Sequence, residues 1–221
     1  MKKITSFITI LLLVLLVGCG NSQTANSPNA YDKENFIGAA DISEEIEEYG
    51  ISREDMSTFK IDGEKAYMNG VISADTVRQV KKLISDYPNV KTIVMENING
   101  SIDDQSNLIA SRLVREAKYD TIVPENGHIA SGGTDFFCAG IKRTAFETSK
   151  IGVHSWAGDG VENAALLPKD DPSHKPYIDY YKEMSMPDPE GFYFFTVNAA
   201  KADGMHYMSM DELKKYGLVT E

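Results

Sequence analysis

Cysteine is scarce in this chain. Its 221 residues include two, Cys19 and Cys138. A pair permits one disulfide at most, so no disulfide framework holds the fold. Positive charge is also in deficit, with 22 Lys and Arg against 33 Asp and Glu, a formal net charge of −11. That balance gives no electrostatic footprint for nucleic acid. Charge alone would not draw the chain to an anionic lipid surface either. Histidine occurs four times, at His128, His154, His174 and His206. They are scattered, with no HExxH and no Cys–His spacing, so the sequence offers no metal site. "VMENING" has too few glycines to cradle a phosphate. No cofactor is expected.

Long apolar runs are missing too, except at the start. "MKKITSFITILLLVLLVGC" has Lys2 and Lys3, an apolar core from Phe7 to Val17, then Gly18-Cys19. This is the layout of a secretory signal, with an apolar core too short for a comfortable membrane span. Leu16-Val17-Gly18-Cys19 also resembles a bacterial lipobox, in which cleavage precedes a cysteine that then carries lipid. The expectation is a signal peptide over 1–18 and a lipidated Cys19. Several acyl chains on that residue would hold the protein at a membrane, facing outside the cytoplasm in the cell envelope. A lipidated Cys19 leaves Cys138 without a partner. A small, polar tether follows, with 19–40 outside the folded domain and one domain over 41–221. About 203 residues then remain, enough for one sizeable core. Without Lys2 and Lys3 the balance is 20 positive to 33 negative, a net of −13.

Within the domain, "DISEEIEEYG" (41–50) suits a short acidic helix. "TFKIDGEKAYMNGVI" (58–72) alternates around Asp62-Gly63, a hairpin signal. Ser73 suits the cap of a helix to about Tyr87, with Val77, Val80, Leu83 and Ile84 as its apolar stripe. "KTIVME" and "DTIVP" suit buried strands. Between them, 103–117 suits a helix with Leu108, Ile109, Leu113 and Val114 inward. "HIASGGTDFFCAG" (128–140) reads as a strand running into a helix, and "SKIGVHSW" as strand and loop. Alternating strands and helices imply an α/β fold with a mostly parallel sheet and right-handed crossovers. Functional groups on such sheets gather at the carboxyl ends of strands. Asn99-Gly100, Ser131 and His154 all fall there. Aromatic-rich helices are expected over 173–184 and 188–202. Their dense block of Tyr and Phe suits a core or subunit contact, or the wall of an apolar substrate site. Ser209 and Glu212 have capping-box spacing for a last helix stopped by Gly217.

Ser131 stands between an apolar run and Gly132-Gly133. Glycines let backbone N–H groups come close to a ligand, and a helix start adds free N–H donors. A nucleophile beside such donors suits acyl transfer. The plainer reading of Ser131 is an N-cap. His154 follows 23 residues later and suits a general base near neutral pH. Cys138, on an apolar run, suits a buried inert thiol. Asp135, one helical turn after Ser131, must find donors if buried. It suits orienting His154, binding a substrate amine, or pairing with Arg143 or Lys142.

The stretch from Asn97 to Trp156 resembles the ClpP-type serine peptidases of the ClpP/crotonase superfamily and their exported bacterial relatives. Ala130-Ser131, Ala139-Gly140-Ile141-Lys142-Arg143 and Ile151-Gly152-Val153-His154 carry the resemblance in order. The ending "YMSMDELKKYGLVTE" resembles the family's closing segment. The resemblance implies stacked ββα units, with Ser131 as nucleophile and His154 as base. It further implies oxyanion donors from the backbone of Gly132 and of the Asn99-Gly100 turn. Asn99-Gly100 stands where the family has Gly-Gly. The family's aspartate position falls on Met205, so Asp203, two residues away, is the candidate third member. The implied substrate is a peptide or small acyl compound, and a homo-oligomer is implied too. Residues 161–200 are not covered by the resemblance. Two other readings stay open. One is an α/β-hydrolase using Ser131, Asp171 and His206, although Ile129 stands where G-x-S-x-G needs glycine. The other is a non-catalytic binding lipoprotein on the same fold.

Overall fold

Asp62-Gly63 does turn the chain. Strands β2 (Thr58–Asp62) and β3 (Lys65–Asn69) pair antiparallel across it, Asp62 beside Lys65, with Gly63 at φ +57°. The computed structural model describes residues 35–40, 50–158 and 160–220. The expected signal peptide, Cys19, the expected tether to residue 34 and residues 41–49 of the expected acidic helix lie outside them. Among the described residues, no helix is long and apolar enough to cross a membrane.

The folded unit starts earlier than residue 41. β1 (Phe36–Ile37) pairs with β2, Ile37 is buried, and the Ala40 N–H donates to Asp75. Two residues with one inward side chain carry too little pattern to announce a strand; β2 supplies the ladder.

α1 (Asp75–Asp86) buries Val80 and Leu83 as its spacing requires, with Val77 and Ile84 packed beside them. Ser73 does not cap it through its hydroxyl, which is buried without a partner. The Thr76 hydroxyl accepts the Ser73 N–H instead. α2 (Asp104–Glu116) is capped by Asp103, whose carboxylate accepts from the Ser106 N–H. It buries Leu108 and Val114 but leaves Ile109 exposed, so its inward face is narrower than its apolar content suggests.

β4 (Thr92–Ile98) is the pivot of the sheet. Its first half pairs in parallel with β5 (Asp120–Val123). Its second half pairs in parallel with β6 (His128–Ala130). The sheet therefore forks. One branch continues through β5 to β7 (Arg143–Ala145), which was not anticipated. The other continues through β6 to β8 (Lys150–Val153), then antiparallel to β9 (His206–Tyr207). α3 (Gly132–Cys138) follows β6 directly. The result is an α/β fold with a mostly parallel sheet, antiparallel only at its ends. β2–β3–α1 and β5–β6–α3 are its ββα units.

The C-terminal third packs over this sheet. α4 (Lys175–Glu183) and α5 (Pro189–Ala199) bury Tyr180, Tyr181, Phe192 and Tyr193. α6 (Met210–Lys215) starts at the Ser209/Glu212 capping box, and Gly217 follows at φ +69°. Buried Arg143 ties the tail down, donating to the carbonyls of Cys138, Gly140, Gly217 and Leu218.

Candidate active site

β4, β6 and β8 are neighbours and parallel, with Ile98 beside Ile129 and Ala130 beside Gly152. Their carboxyl ends therefore deliver Gly100, Ser131 and His154 to one edge. Chain order predicts that convergence; the register brings it about.

Ser131 has φ 53° and ψ −127°, a region that costs a non-glycine residue about 1–3 kcal/mol. Its N–H donates to the Gly152 carbonyl at 3.0 Å, and its carbonyl accepts from the Thr134 N–H at 2.7 Å. The turn is thus held from both sides. Its hydroxyl makes no capping bond, so the side chain is not spent on the helix.

Two glycines permit close approach here. A Cβ on Gly132 would lie 2.4 Å from Ser101 Oγ and 2.7 Å from Ser101 Cβ. Asn107 Nδ2, buried, donates to the Gly132 carbonyl at 2.9 Å and fixes that peptide. Gly100 is buried at φ +140°, and a Cβ there would lie 3.3 Å from Ser131 Cβ and 3.8 Å from its Oγ. The Gly100 backbone therefore borders the serine directly. Asn99 is exposed beside it. Gly132 opens α3, so its N–H has no partner within the helix.

His154 follows β8 and is half-buried. Burial lowers its pKa below the usual 6.5, opposed more weakly by the backbone of Ser155 and Ala202 and by the Asp104 charge. The ring is thus neutral at pH 7, the form a general base needs. Nδ1 is buried with no hydrogen bond of ordinary geometry, although the backbone of Ser155 and of Ala202 lies close to the ring. Ser131 and His154 line one cleft of about 440 Å³, counting its open mouth. No hydrogen bond joins them; such bonds often tighten only when substrate binds.

The structure does not bring Asp203 to His154. It sits exposed in a turn, away from the cleft, and leaves Nδ1 unpaired. The trio Ser131, Asp171 and His206 is not assembled either. The Asp171 carboxylate caps a short 3-10 turn, accepting from the Ser173 N–H. His206 pairs with Glu212 at 3.1 Å. Neither lines the cleft. His174 is buried, with Nδ1 2.7 Å from the Tyr193 hydroxyl and Nε2 3.0 Å from the Pro168 carbonyl. A carbonyl only accepts, so Nε2 carries the proton and the tyrosine donates to Nδ1. Cys138 is buried, and burial pushes its thiol up to about 12, far from a reactive thiolate. Among the described residues no group of three or more His, Cys, Asp or Glu could hold a metal ion.

Asp135 faces the cleft. Its partner is neither His154 nor Arg143 but the Tyr181 hydroxyl, which donates to Oδ1 at 2.5 Å. The Tyr180 hydroxyl donates to its carbonyl at 2.6 Å. Part of its surface stays open to the cleft, yet protein surrounds it densely. That desolvation, helped by the nearby Asp104 charge, raises its pKa from 3.8 to about 7, against the Tyr181 bond. The raised value makes a stability prediction. As pH rises from about 4 to 7 the unfolded carboxyl ionises first, so the fold loses up to about 1.4 kcal/mol per pH unit. Asn does not titrate and keeps an acceptor for Tyr181. Asp135→Asn should therefore raise Tm relative to wild type at pH 8, with the gain shrinking toward pH 4. A difference independent of pH would contradict it.

Asp104, Tyr177, Trp156, Tyr193 and Thr196 also line the cleft and were not singled out from sequence as site residues. Of these only Tyr193 belongs to the expected aromatic block, which is both core and cleft wall.

No family model matches the chain, and no curated protein matches it. Among solved structures, the chain is similar to a point mutant of the 1510-N membrane-bound stomatin-specific protease. The identity is 17% and the TM-score 0.47, over 70% of this chain and 75% of that one.

Proposed function

We propose that the protein is a serine hydrolase of peptidase-like type, held outside the cytoplasm by lipid on Cys19. The observation that carries the hydrolase reading is Ser131. It takes a strained turn at a strand end, its hydroxyl is uncommitted to the helix, and it shares a cleft with neutral His154. The sequence resemblance to ClpP-type peptidases supports the same roles. The anchor rests on the N-terminal sequence pattern.

In this reading Ser131 Oγ attacks the substrate carbonyl carbon while His154 takes its proton. The oxyanion forms between the backbone N–H groups of Gly132 and Gly100. Collapse breaks the bond to the leaving group, which takes the proton from His154. Water then attacks the acyl-serine, with His154 as base again, and restores the hydroxyl. Among the described residues no carboxylate pairs with His154, so the machinery is a Ser–His dyad, and turnover slower than that of a full triad is expected.

Short acyl esters and peptides test this. Wild type should hydrolyse them and Ser131→Ala should not. Equal rates in both would remove Ser131 from the chemistry. Folded protein that turns over neither would favour the binding-module reading.

A further inference from the structure

We propose that the cleft beside Ser131 contains a cation subsite, in which Asp135 at depth and Asp104 at the rim take the alkylammonium or guanidinium group of a substrate. As a substrate preference it rests on Ser131 being the nucleophile; as a binding site it does not.

The first support is unused acceptor capacity. Asp135 is surrounded by protein except toward the cleft. Tyr181 serves Oδ1, and among the described residues no donor serves Oδ2. Asp104 receives one donor on each oxygen, from Ser101 Oγ and from the Tyr177 hydroxyl, leaving a lone pair on each. For the enclosed Asp135 the ionised form is costly unless something pairs with it.

The second support is that, among the described residues, no cation pairs with either carboxylate. Among the described residues no Lys, Arg or His forms an ion pair with Asp104 or Asp135. The charge acting on Asp135 is that of Asp104, of the same sign. Arg143, eight residues beyond Asp135, is occupied by four carbonyls.

The third support is the wall. Trp156 stacks on Tyr177 at 6.1 Å, and Tyr177 stacks on Tyr193 at 5.7 Å. Aromatic surface beside carboxylates suits an aliphatic stem ending in a cation. Asp135 lies four residues beyond Ser131, about 6 Å along a helix axis. A flexible four-carbon stem spans that distance from a carbonyl at the serine. A bound cation would also draw the proton from Asp135, so binding should strengthen as pH rises through 7.

Trp156 is the only tryptophan in the chain, so its fluorescence reports the cleft whether or not turnover occurs. The full-chain protein is titrated with Nα-acetyl-lysine methylamide and with its uncharged counterpart, Nα-acetyl-norleucine methylamide. At pH 8 the lysine compound should bind at least tenfold more tightly, and the preference should shrink at pH 6. Asp135→Asn should remove most of the preference, and Asp104→Asn, at the exposed rim, a smaller part. Norleucine methylamide with a free α-amine distinguishes the sources. Tighter binding than its acetylated form assigns the subsite to a substrate N-terminus; tighter binding of the lysine compound alone assigns it to a side chain. Equal affinity for the charged and uncharged compounds, or a preference surviving both Asn variants, overturns the proposal. A cation preference in protein that hydrolyses nothing would leave the subsite standing and remove the nucleophile.

Discussion

His154→Ala lowers the reactivity of Ser131 by about 10²–10⁴-fold, the usual worth of a positioned general base. The fold should survive, because the half-buried ring follows β8 and is not part of the buried apolar core. The pH profile carries the sharper information. The working form is the neutral imidazole, and burial lowers the His154 pKa below 6.5. Activity should therefore rise with pH and reach half its plateau below pH 6.5. Kinetics of ester hydrolysis from pH 5 to 8 check this. A midpoint above 6.5, or an acid limb that persists in His154→Ala, would assign the base elsewhere.

Gly132→Ala has the second large effect, on fold and site together. The added methyl would meet Ser101 Oγ at 2.4 Å and Cβ at 2.7 Å, with Asn107 Nδ2 at 2.9 Å. Ser101 is tied to Asp104, and Asn107 to the Gly132 carbonyl, so neither yields freely. Overpacking of this kind costs about 1–3 kcal/mol. Moving the Gly132 N–H away from the serine should cost a further 10²–10³-fold in turnover, as losing one oxyanion donor does. Denaturant unfolding and ester kinetics measure the two effects. Ser101→Gly in the same chain removes the nearest obstruction, so the double variant should recover part of both. Recovery of stability without activity would mean that the Gly132 N–H is no oxyanion donor.

Much of the frame could be read from local pattern. Asp62-Gly63 announced its hairpin, and the apolar runs in β4 and β5 announced buried parallel strands. Chain order alone put Gly100, Ser131 and His154 at strand ends. What could not be read depends on distant partners. β7 and β9 have three and two residues, and only the strands beside them make them strands. Ile109 fits a helical stripe, yet α2 turns it to solvent because Ala110, Ser111 and Asn107 fill the inward face. Tyr181 meets Asp135 across 46 residues of sequence, which no spacing rule anticipates. Asp203 lies two residues from Met205, where the family resemblance puts its aspartate. The turn that holds it faces outward, and what reaches His154 there is the backbone of Ala202.

Fluorophosphonate labelling followed by peptide mapping tests the Ser131 nucleophile most directly. The account predicts one covalent adduct, on Ser131, absent in Ser131→Ala and strongly slowed in His154→Ala. An adduct on another residue, labelling that depends on His206 instead, or no adduct in folded protein would contradict it.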